Sequence, residues 1–193
     1  MFWAFALAAI LQAADPAPVA PVAPDRATAA RLADLVNAYR ASRGLEPVPY
    51  SPWLTAVAEA HAVDMARGDG GGITPDLGRD ENGTPCNLHS WSARGRWTPV
   101  CYTHGPTHGR FMWSKPREIS GGAYPGNGFE IAHFDPRGVA AETALRNWQS
   151  SPPHEAVIVE TGIWEGYRWQ AMGVGVAGRY AFIWFGRERD GHQ

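Results

Sequence analysis

Apolar residues recur at helical spacing in the first third of the chain. One such stretch runs from about residue 27 to 40 and is followed by Gly44, as the end of a helix requires. A second begins at Ser51-Pro52, where a serine N-cap precedes a proline at the first helical position, and continues to Gly68. The pattern predicts two amphipathic helices, whose buried faces carry Leu32, Leu35, Val36 and Tyr39, and Leu54, Val57, Ala58, His61, Ala62 and Met65.

Helical spacing returns late in the chain and then gives way to alternation. The sequence Ser151-Pro152-Pro153 ends a third predicted helix and can start a short one at His154. Between residues 172 and 176 apolar residues alternate with small ones, Gly178-Arg179 can form a tight turn, and residues 180–185 favour a strand. Helices first and a hairpin last indicate an α+β fold. The third helix carries Ala141, Ala144, Leu145 and Trp148 on one face.

Residues 68–128 are rich in glycine and proline but also in aromatic residues. This composition predicts a long loop region with short strands rather than disorder. His104 and His108 have the spacing of a helical metal pair, but Gly105, Pro106 and Gly109 argue against a helix there. His108 is a candidate ligand-binding residue or an exposed loop histidine. This region contains three tryptophans, Trp91, Trp97 and Trp113. They either line a ligand groove or form a small core.

The N-terminus has the pattern of an export signal. An apolar run from Phe2 to Leu11 is followed by small residues and is too short to span a bilayer, so residues 1–14 are interpreted as a signal peptide. Alanine and proline dominate residues 15–26, which are interpreted as a linker before a single domain at 27–188. We therefore expect a secreted or periplasmic protein with no transmembrane segment after signal cleavage.

The two cysteines indicate a disulfide, and the charge balance bears on the partners of the protein. In an exported protein, Cys86 and Cys101 are expected to form a disulfide, and the alternative is two unrelated buried thiols. The loop between them contains His89. The chain has 17 Lys and Arg against 19 Asp and Glu, so it carries no basic footprint for nucleic acid or an anionic membrane.

A set of short segments occurs along the chain in a fixed order. They are LVNAYRASRG (35–44), LTAVAEAHAVDMA (54–66), CNLHSWS (86–92), GFEIA (128–132), WQSSPPH (148–154) and AMGVGV (171–176). In this order they resemble the CAP family of cysteine-rich secretory, antigen 5 and pathogenesis-related proteins. Two further segments, MWSKPREI at 112–119 and YAFIWFG at 180–186, are similar to a bacterial branch of that family, and the resemblance covers roughly residues 29–186.

The resemblance implies a three-layer α-β-α sandwich with a central antiparallel sheet, and a cleft with two histidines and acidic residues. His89 and His154 match the family histidines. In an ungapped match Phe129 falls at the family glutamate and Glu130 one position later, so Glu130 is the expected acid. The position of the second acid is occupied by Ser151, and Glu118 is its candidate replacement.

Some family members bind zinc or another divalent ion in this cleft, so His89, His154 and Glu130 are candidate metal ligands. Neutral imidazoles and a carboxylate are ligand types that suit zinc. The alternative is that both histidines hydrogen-bond loop backbone in a polar cleft. His61 is expected to be a satisfied core histidine, and His133 and His192 are expected at the surface.

Three functions remain open on the sequence. The first is a secreted CAP-domain protein that binds a small-molecule, lipid, glycan or protein ligand in the cleft, with or without a metal. The second is a zinc-dependent hydrolase of peptide or ester bonds, with Glu130 as acid or base. The third is an interaction module that uses the Trp-rich loop. Metal binding alone does not imply turnover, and the fold alone does not decide among the three.

Overall fold

The structure, a computed structural model, describes residues 22–68, 77–103 and 106–190, with the backbone alone at 106–108. The predicted signal peptide, most of the linker, His104 and His192 lie outside the described residues, as does the side chain of His108.

Both predicted N-terminal helices are confirmed, and each begins at a side-chain cap. Asp25 accepts a hydrogen bond from the Thr28 amide at the start of α1, over 3.0 Å. Ser51 Oγ accepts from the Leu54 amide at the start of α2, also over 3.0 Å. The helices are α1 (Arg26–Ser42), α2 (Pro52–Gly68), α3 (Pro106–Trp113), α4 (Lys115–Ile119), α5 (Ala141–Gln149) and α6 (Pro152–Val159), with a 3-10 turn at Gly162–Trp164. None of these helices is both long and apolar enough to cross a membrane.

The middle region contains two helices, α3 and α4, where a loop with short strands was expected. Helix α3 starts at Pro106, a position where the missing proline N–H interrupts no helical hydrogen bond. Gly109 lies within it, and a Cβ on Gly109 would come within 2.9 Å of the Trp113 ring. The prediction against a helix was wrong here because a short helix depends on its tertiary contacts more than on residue preference.

Three antiparallel strands form the sheet in the order β1-β3-β2. They are β1 (Gly128–Phe134), β2 (Ala171–Ala177) and β3 (Tyr180–Gly186), and the predicted C-terminal hairpin is β2-β3. Gly178 turns the hairpin with a φ of 56°. Strand β1 pairs with β3 so that Glu130 lies opposite Trp184, which leaves β1 at one edge of this sheet.

Alternation along the strands divides the core into two layers. Ile131, Val174 and Ile183 pack with α1, α5 and α6. Ala132, Phe182 and Trp184 face the other way and pack with α2 and Trp91. The molecule is therefore a three-layer α-β-α sandwich around an antiparallel sheet, as expected, and Glu130 has the parity of the α2 face.

Candidate functional site

Glu130 lies at the centre of a buried histidine cluster. One of its carboxylate oxygens is 2.6 Å from His61 Nδ1 and the other is 2.8 Å from His89 Nδ1. The Glu130 side chain has no exposed surface. Phe129 points to the opposite face of β1, where its ring meets those of Trp164 and Tyr167. Of these two neighbouring residues, Glu130 is therefore the one whose side chain enters the cluster.

Helix α2 supplies His61, which lies on its sheet-facing side. The imidazole is stacked between Trp91 and Phe182, with ring centroids 4.1 and 4.0 Å away. Its Nε2 is 2.8 Å from the Ser90 carbonyl oxygen, so both ring nitrogens have partners. The expectation of a satisfied core histidine is confirmed, but its partner is Glu130 itself.

Donor and acceptor requirements assign the protons of this pair. A carbonyl oxygen only accepts, so His61 Nε2 must donate to Ser90. Burial by itself would raise the pKa of the Glu130 carboxyl, but the imidazoles of His61 and His89 outweigh burial and hold that pKa below its ordinary value. The lowered pKa favours a carboxylate at Glu130, which accepts hydrogen bonds from the imidazoles beside it.

A cross-linked loop presents His89 to this carboxylate. Cys86 and Cys101 form the expected disulfide. Asn87 shapes the turn, because its side-chain oxygen accepts from the His89 amide and its carbonyl from the Ser90 amide, both over 3.0 Å. With Nδ1 donating to Glu130, a neutral His89 carries its lone pair on Nε2. The His89 side chain is 20% exposed, unlike that of His61.

His154 occupies the first turn of α6. Its Nδ1 is 2.7 Å from the Oγ of Ser151, the residue that stands where the second family acid was expected. Burial lowers the pKa of His154, and the neighbouring imidazoles of His89 and His133 lower it further. His154 therefore favours the neutral form, and no direct contact between His154 and His89 is among those described.

His133 was wrongly expected at the surface. It is only 6% exposed and packs edge-on against Trp148, with ring centroids 6.0 Å apart. Its Nε2 is buried and has no hydrogen-bond partner among the residues that the structure describes. Burial lowers the pKa of His133, although Asp135 opposes this. Strand alternation was the missed signal, since His133 shares the parity of Phe129 and Ile131.

Two other predicted ligand-binding residues have structural partners. Trp91 is 2% exposed and belongs to the α2 core layer, in agreement with the core alternative for the tryptophans. Glu118 accepts from the amide and hydroxyl of Thr98 and from the ammonium of Lys115, a fully buried lysine. Among the described contacts, Glu118 makes no hydrogen bond or ion pair with Glu130 or the histidines.

The hydrogen bonds of Glu130 to two histidines limit its use as a metal ligand. Both of its oxygens accept from imidazoles, so the carboxylate orients His89 in the way that carboxylates orient zinc-bound histidines. Across residues 22–68, 77–103 and 106–190, no group of three or more His, Cys, Asp or Glu lies close enough to hold a metal ion. The donors that fit a soft divalent ion are the Nε2 atoms of His89 and His154.

The same arrangement of Glu130 and His89 suits general acid–base chemistry. A histidine whose Nδ1–H is held by a carboxylate presents Nε2 as a base in a fixed tautomer. A nucleophile beside His89 Nε2 is not among the described contacts. Ser151 contacts His154 through Nδ1, which is a local contact across the first turn of α6.

Comparison with known proteins agrees with this fold. The cysteine-rich secretory protein family, CAP, matches residues 33–184. No curated protein matches at a significant level. One similar solved structure is an extracellular protein containing an SCP domain from Bacillus anthracis str. Ames, with 15% identity and a TM-score of 0.53 over 84% of this chain and 41% of the other.

A second is a cysteine-rich secretory protein from Staphylococcus aureus subsp. aureus Mu50, with 12% identity and a TM-score of 0.51 over 84% of this chain and 39% of the other. This chain thus matches about two fifths of the length of each. At these identities the two structures support the fold, while the family match covers most of the sequence. The chain therefore belongs to the cysteine-rich secretory protein family, CAP.

Proposed function

We propose that this chain is an extracytoplasmic CAP-domain protein that binds a ligand through the exposed-side nitrogens of His89 and His154, with a divalent metal such as zinc as the first candidate. The observation that carries this proposal is the Glu130–His89 hydrogen bond of 2.8 Å. It directs the lone pair of a neutral His89 to Nε2. An extracytoplasmic location rests on the predicted signal, the disulfide and the extracellular description of a similar structure.

Two imidazoles supply only part of a zinc shell, which usually has four ligands. Water or a ligand group would complete it, so this site would be open rather than structural. In this arrangement Glu130 is not a ligand but the partner that orients one. Loss of such a partner typically weakens metal affinity about 10–100-fold.

Calorimetric zinc titration of the oxidised chain without residues 1–14 tests the proposal. We expect one binding site, lost in the His89→Ala/His154→Ala double variant and weakened about 10–100-fold in Glu130→Gln. Glu142→Gln is the matched control, because Glu142 is a surface residue of α5 paired with Arg31. Equal heats for the wild type and the double variant would refute metal binding and direct the search to lipid, glycan and protein ligands.

Zinc-dependent hydrolysis is the second candidate, favoured by the carboxylate-held tautomer of His89. Glu130 is fully buried and bonded to two histidines, so its action on a substrate would pass through His89. A panel of peptide and ester substrates with and without a chelator tests this function. Turnover that requires metal and disappears in His89→Ala supports an enzyme, and metal binding without turnover supports a binding protein.

A further inference from the structure

A second candidate site lies at a cavity of about 490 Å³ between the end of α1 and the segment that leads into β2. None of the residues that line this cavity belongs to the histidine cluster. Its walls include Leu45 and Pro47 on one side and Trp169 on the other, and three arginines open onto it. These are Arg40, Arg168 and Arg189.

Two non-glycine residues beside this cavity have left-handed backbone, Glu160 with a φ of 54° and Arg168 with a φ of 53°. Such positions are strained for residues with a Cβ. The same loop uses glycine at two other left-handed positions, Gly162 and Gly166. A side chain retained in spite of this strain is therefore expected to have a task.

The task of Glu160 is visible. Its carboxylate accepts from Arg40 over 2.8 Å and from the backbone amide of Arg168 over 2.7 Å, with a longer contact of 3.3 Å to the amide of Trp169. These bonds hold the loop and pair the buried guanidinium of Arg40 with a carboxylate. The backbone of Glu160 thus has a conformation that favours glycine, while these contacts require the glutamate side chain.

Hydrogen bonds also hold the backbone of Arg168, but its guanidinium takes part in none of them. Its amide is bound by Glu160, and its carbonyl accepts from Gln170 Nε2 over 3.2 Å. The Arg168 guanidinium makes no hydrogen bond, ion pair or ring contact with any residue that the structure describes. The Arg168 side chain is exposed, so its guanidinium is available to a group from outside the chain.

Gln170 connects Arg168 to a second arginine. While its amide nitrogen donates to Arg168, its oxygen accepts from Arg189 Nε over 3.1 Å. This bond orients the Arg189 guanidinium and leaves its terminal nitrogens for another acceptor. Arg189 forms no ion pair within the described residues.

The charges around the cavity define the ligand class. Arg40 and Glu160 neutralise each other at 2.8 Å. Glu46 also lines the cavity, so the charge left by Arg168, Arg189 and Glu46 is one positive unit. Guanidinium groups match carboxylate and phosphate oxygens geometrically. A net single charge favours one anionic group over a polyanion.

We propose that Arg168 and Arg189 together bind one anionic group, a carboxylate or a phosphate, of a small ligand that enters this cavity. The proposal is independent of the histidine site. Acetate and inorganic phosphate are the probes that separate the two chemistries, each added at constant ionic strength against chloride. Binding is followed by NMR at the Nε–H groups of the arginines and at the amide of Gln170.

We expect saturable shifts with at least one probe in the wild type, and the probe with the lower Kd identifies the anionic group. Arg168→Gln and Arg189→Gln should each raise the Kd by roughly tenfold or more, since each removes a charge-assisted contact. Arg187→Gln is the matched control, because Arg187 lies over the Tyr167 ring and outside the cavity. Its Kd should stay within about twofold.

Arg168→Gly separates binding from a structural role. If the side chain serves a ligand, this variant loses binding while its unfolding midpoint rises, because glycine relieves the left-handed strain. A lower midpoint would indicate a structural side chain and overturn the proposal. The absence of saturable shifts in the wild type with both probes, or equal affinity in Arg168→Gln and Arg187→Gln, would overturn it as well.

Discussion

At the residue scale, one buried carboxylate joins two histidines, because Glu130 contacts His61 Nδ1 with one oxygen and His89 Nδ1 with the other. Burying a charged group is costly unless its hydrogen bonds are complete. Here Glu130 has both oxygens bonded, and His61 has both nitrogens bonded. Removal of one member therefore leaves the others buried without partners.

Glu130→Gln should lower the free energy of unfolding at pH 7 by about 2 kcal/mol, because hydrogen bonds of a charged carboxylate to two imidazoles are replaced by weaker ones of a neutral amide. Wild-type stability should also fall as the pH drops below the ordinary carboxyl value of 4.5, since the folded pKa of Glu130 is lowered and the unfolded chain takes up the proton first. Urea unfolding between pH 7 and 3.5 measures both.

Glu142→Gln provides the surface control for that experiment. The Glu142–Arg31 pair is about half exposed on both sides, so its loss should cost much less than the loss of the buried Glu130 contacts. Equal losses in the two variants would contradict a special role for the buried pair. An unchanged acid limb in Glu130→Gln would show that other carboxyl groups set the acid stability.

His154 and His133 should titrate below the ordinary histidine value of 6.5. Burial lowers the pKa of both, so the unfolded chain binds these protons at a higher pH than the folded chain does. Their contribution to stability is therefore present above pH 6.5 and is lost as the pH falls through their lowered values. Imidazole NMR across pH 4 to 8 tests this, and a midpoint of His154 above 6.5 would contradict the burial and coupling described here.

At the scale of elements, helix α2 and strand β2 touch through glycine. A Cβ on Gly173 would come within 2.0 Å of the Leu54 backbone, and one on Gly175 within 2.1 Å of the Ala58 backbone. This contact brings the α2 face that carries His61 down onto the sheet. The alternation of small and apolar residues in β2 thus has different causes on its two faces, close approach on one and core packing on the other.

Gly173→Ala should destabilise the fold by about 3 kcal/mol or more, because the atoms that it meets are backbone and α2 must shift as a whole. Gly126→Ala is the matched control. The three atoms nearest to its Cβ would all belong to the Glu188 side chain, which can rotate away, so a cost within about 1 kcal/mol is expected. Thermal unfolding of both variants makes the comparison, and equal melting temperatures would mean that α2 and β2 are less tightly packed.

At the scale of the whole molecule, the disulfide restricts the unfolded chain while it shapes the site in the folded one. Cys86 and Cys101 are 15 positions apart. Closing such a loop should contribute about 3 kcal/mol to stability through chain entropy. The same loop carries His89 and the Ser90 carbonyl that binds His61, so its opening should loosen the site as well.

The Cys86→Ser/Cys101→Ser variant should therefore unfold at lower denaturant than the oxidised wild type, by about 3 kcal/mol. Reduced wild type is the chemical control and should match the variant. The His89 imidazole resonance should broaden or shift in both. If oxidised and reduced proteins were equally stable, the loop would have to be held by its hydrogen bonds alone.

Local sequence patterns determined most of the secondary structure that could be predicted for this protein. Helical periodicity located α1, α2 and α5, and period-two alternation located the β2-β3 hairpin, because each pattern indicates a face that must leave water. The sequence Ser151-Pro152-Pro153 predicted a short helix where α6 lies. The family segments predicted His89, His154 and Glu130 as site residues, and the structure places Glu130 in contact with His89. In each case the information lies within a few neighbouring residues.

Tertiary structure decided the rest. It alone brought α2 over the sheet, joined His61 to Glu130 across 69 positions, and buried His133 and Trp91, because burial depends on what packs from the other side. It also formed α3 and α4 in a region whose composition favoured loops, and it placed Arg168 and Arg189 at one cavity. Periodicity shows which face of an element is apolar, but only the packed chain determines which polar groups meet within it.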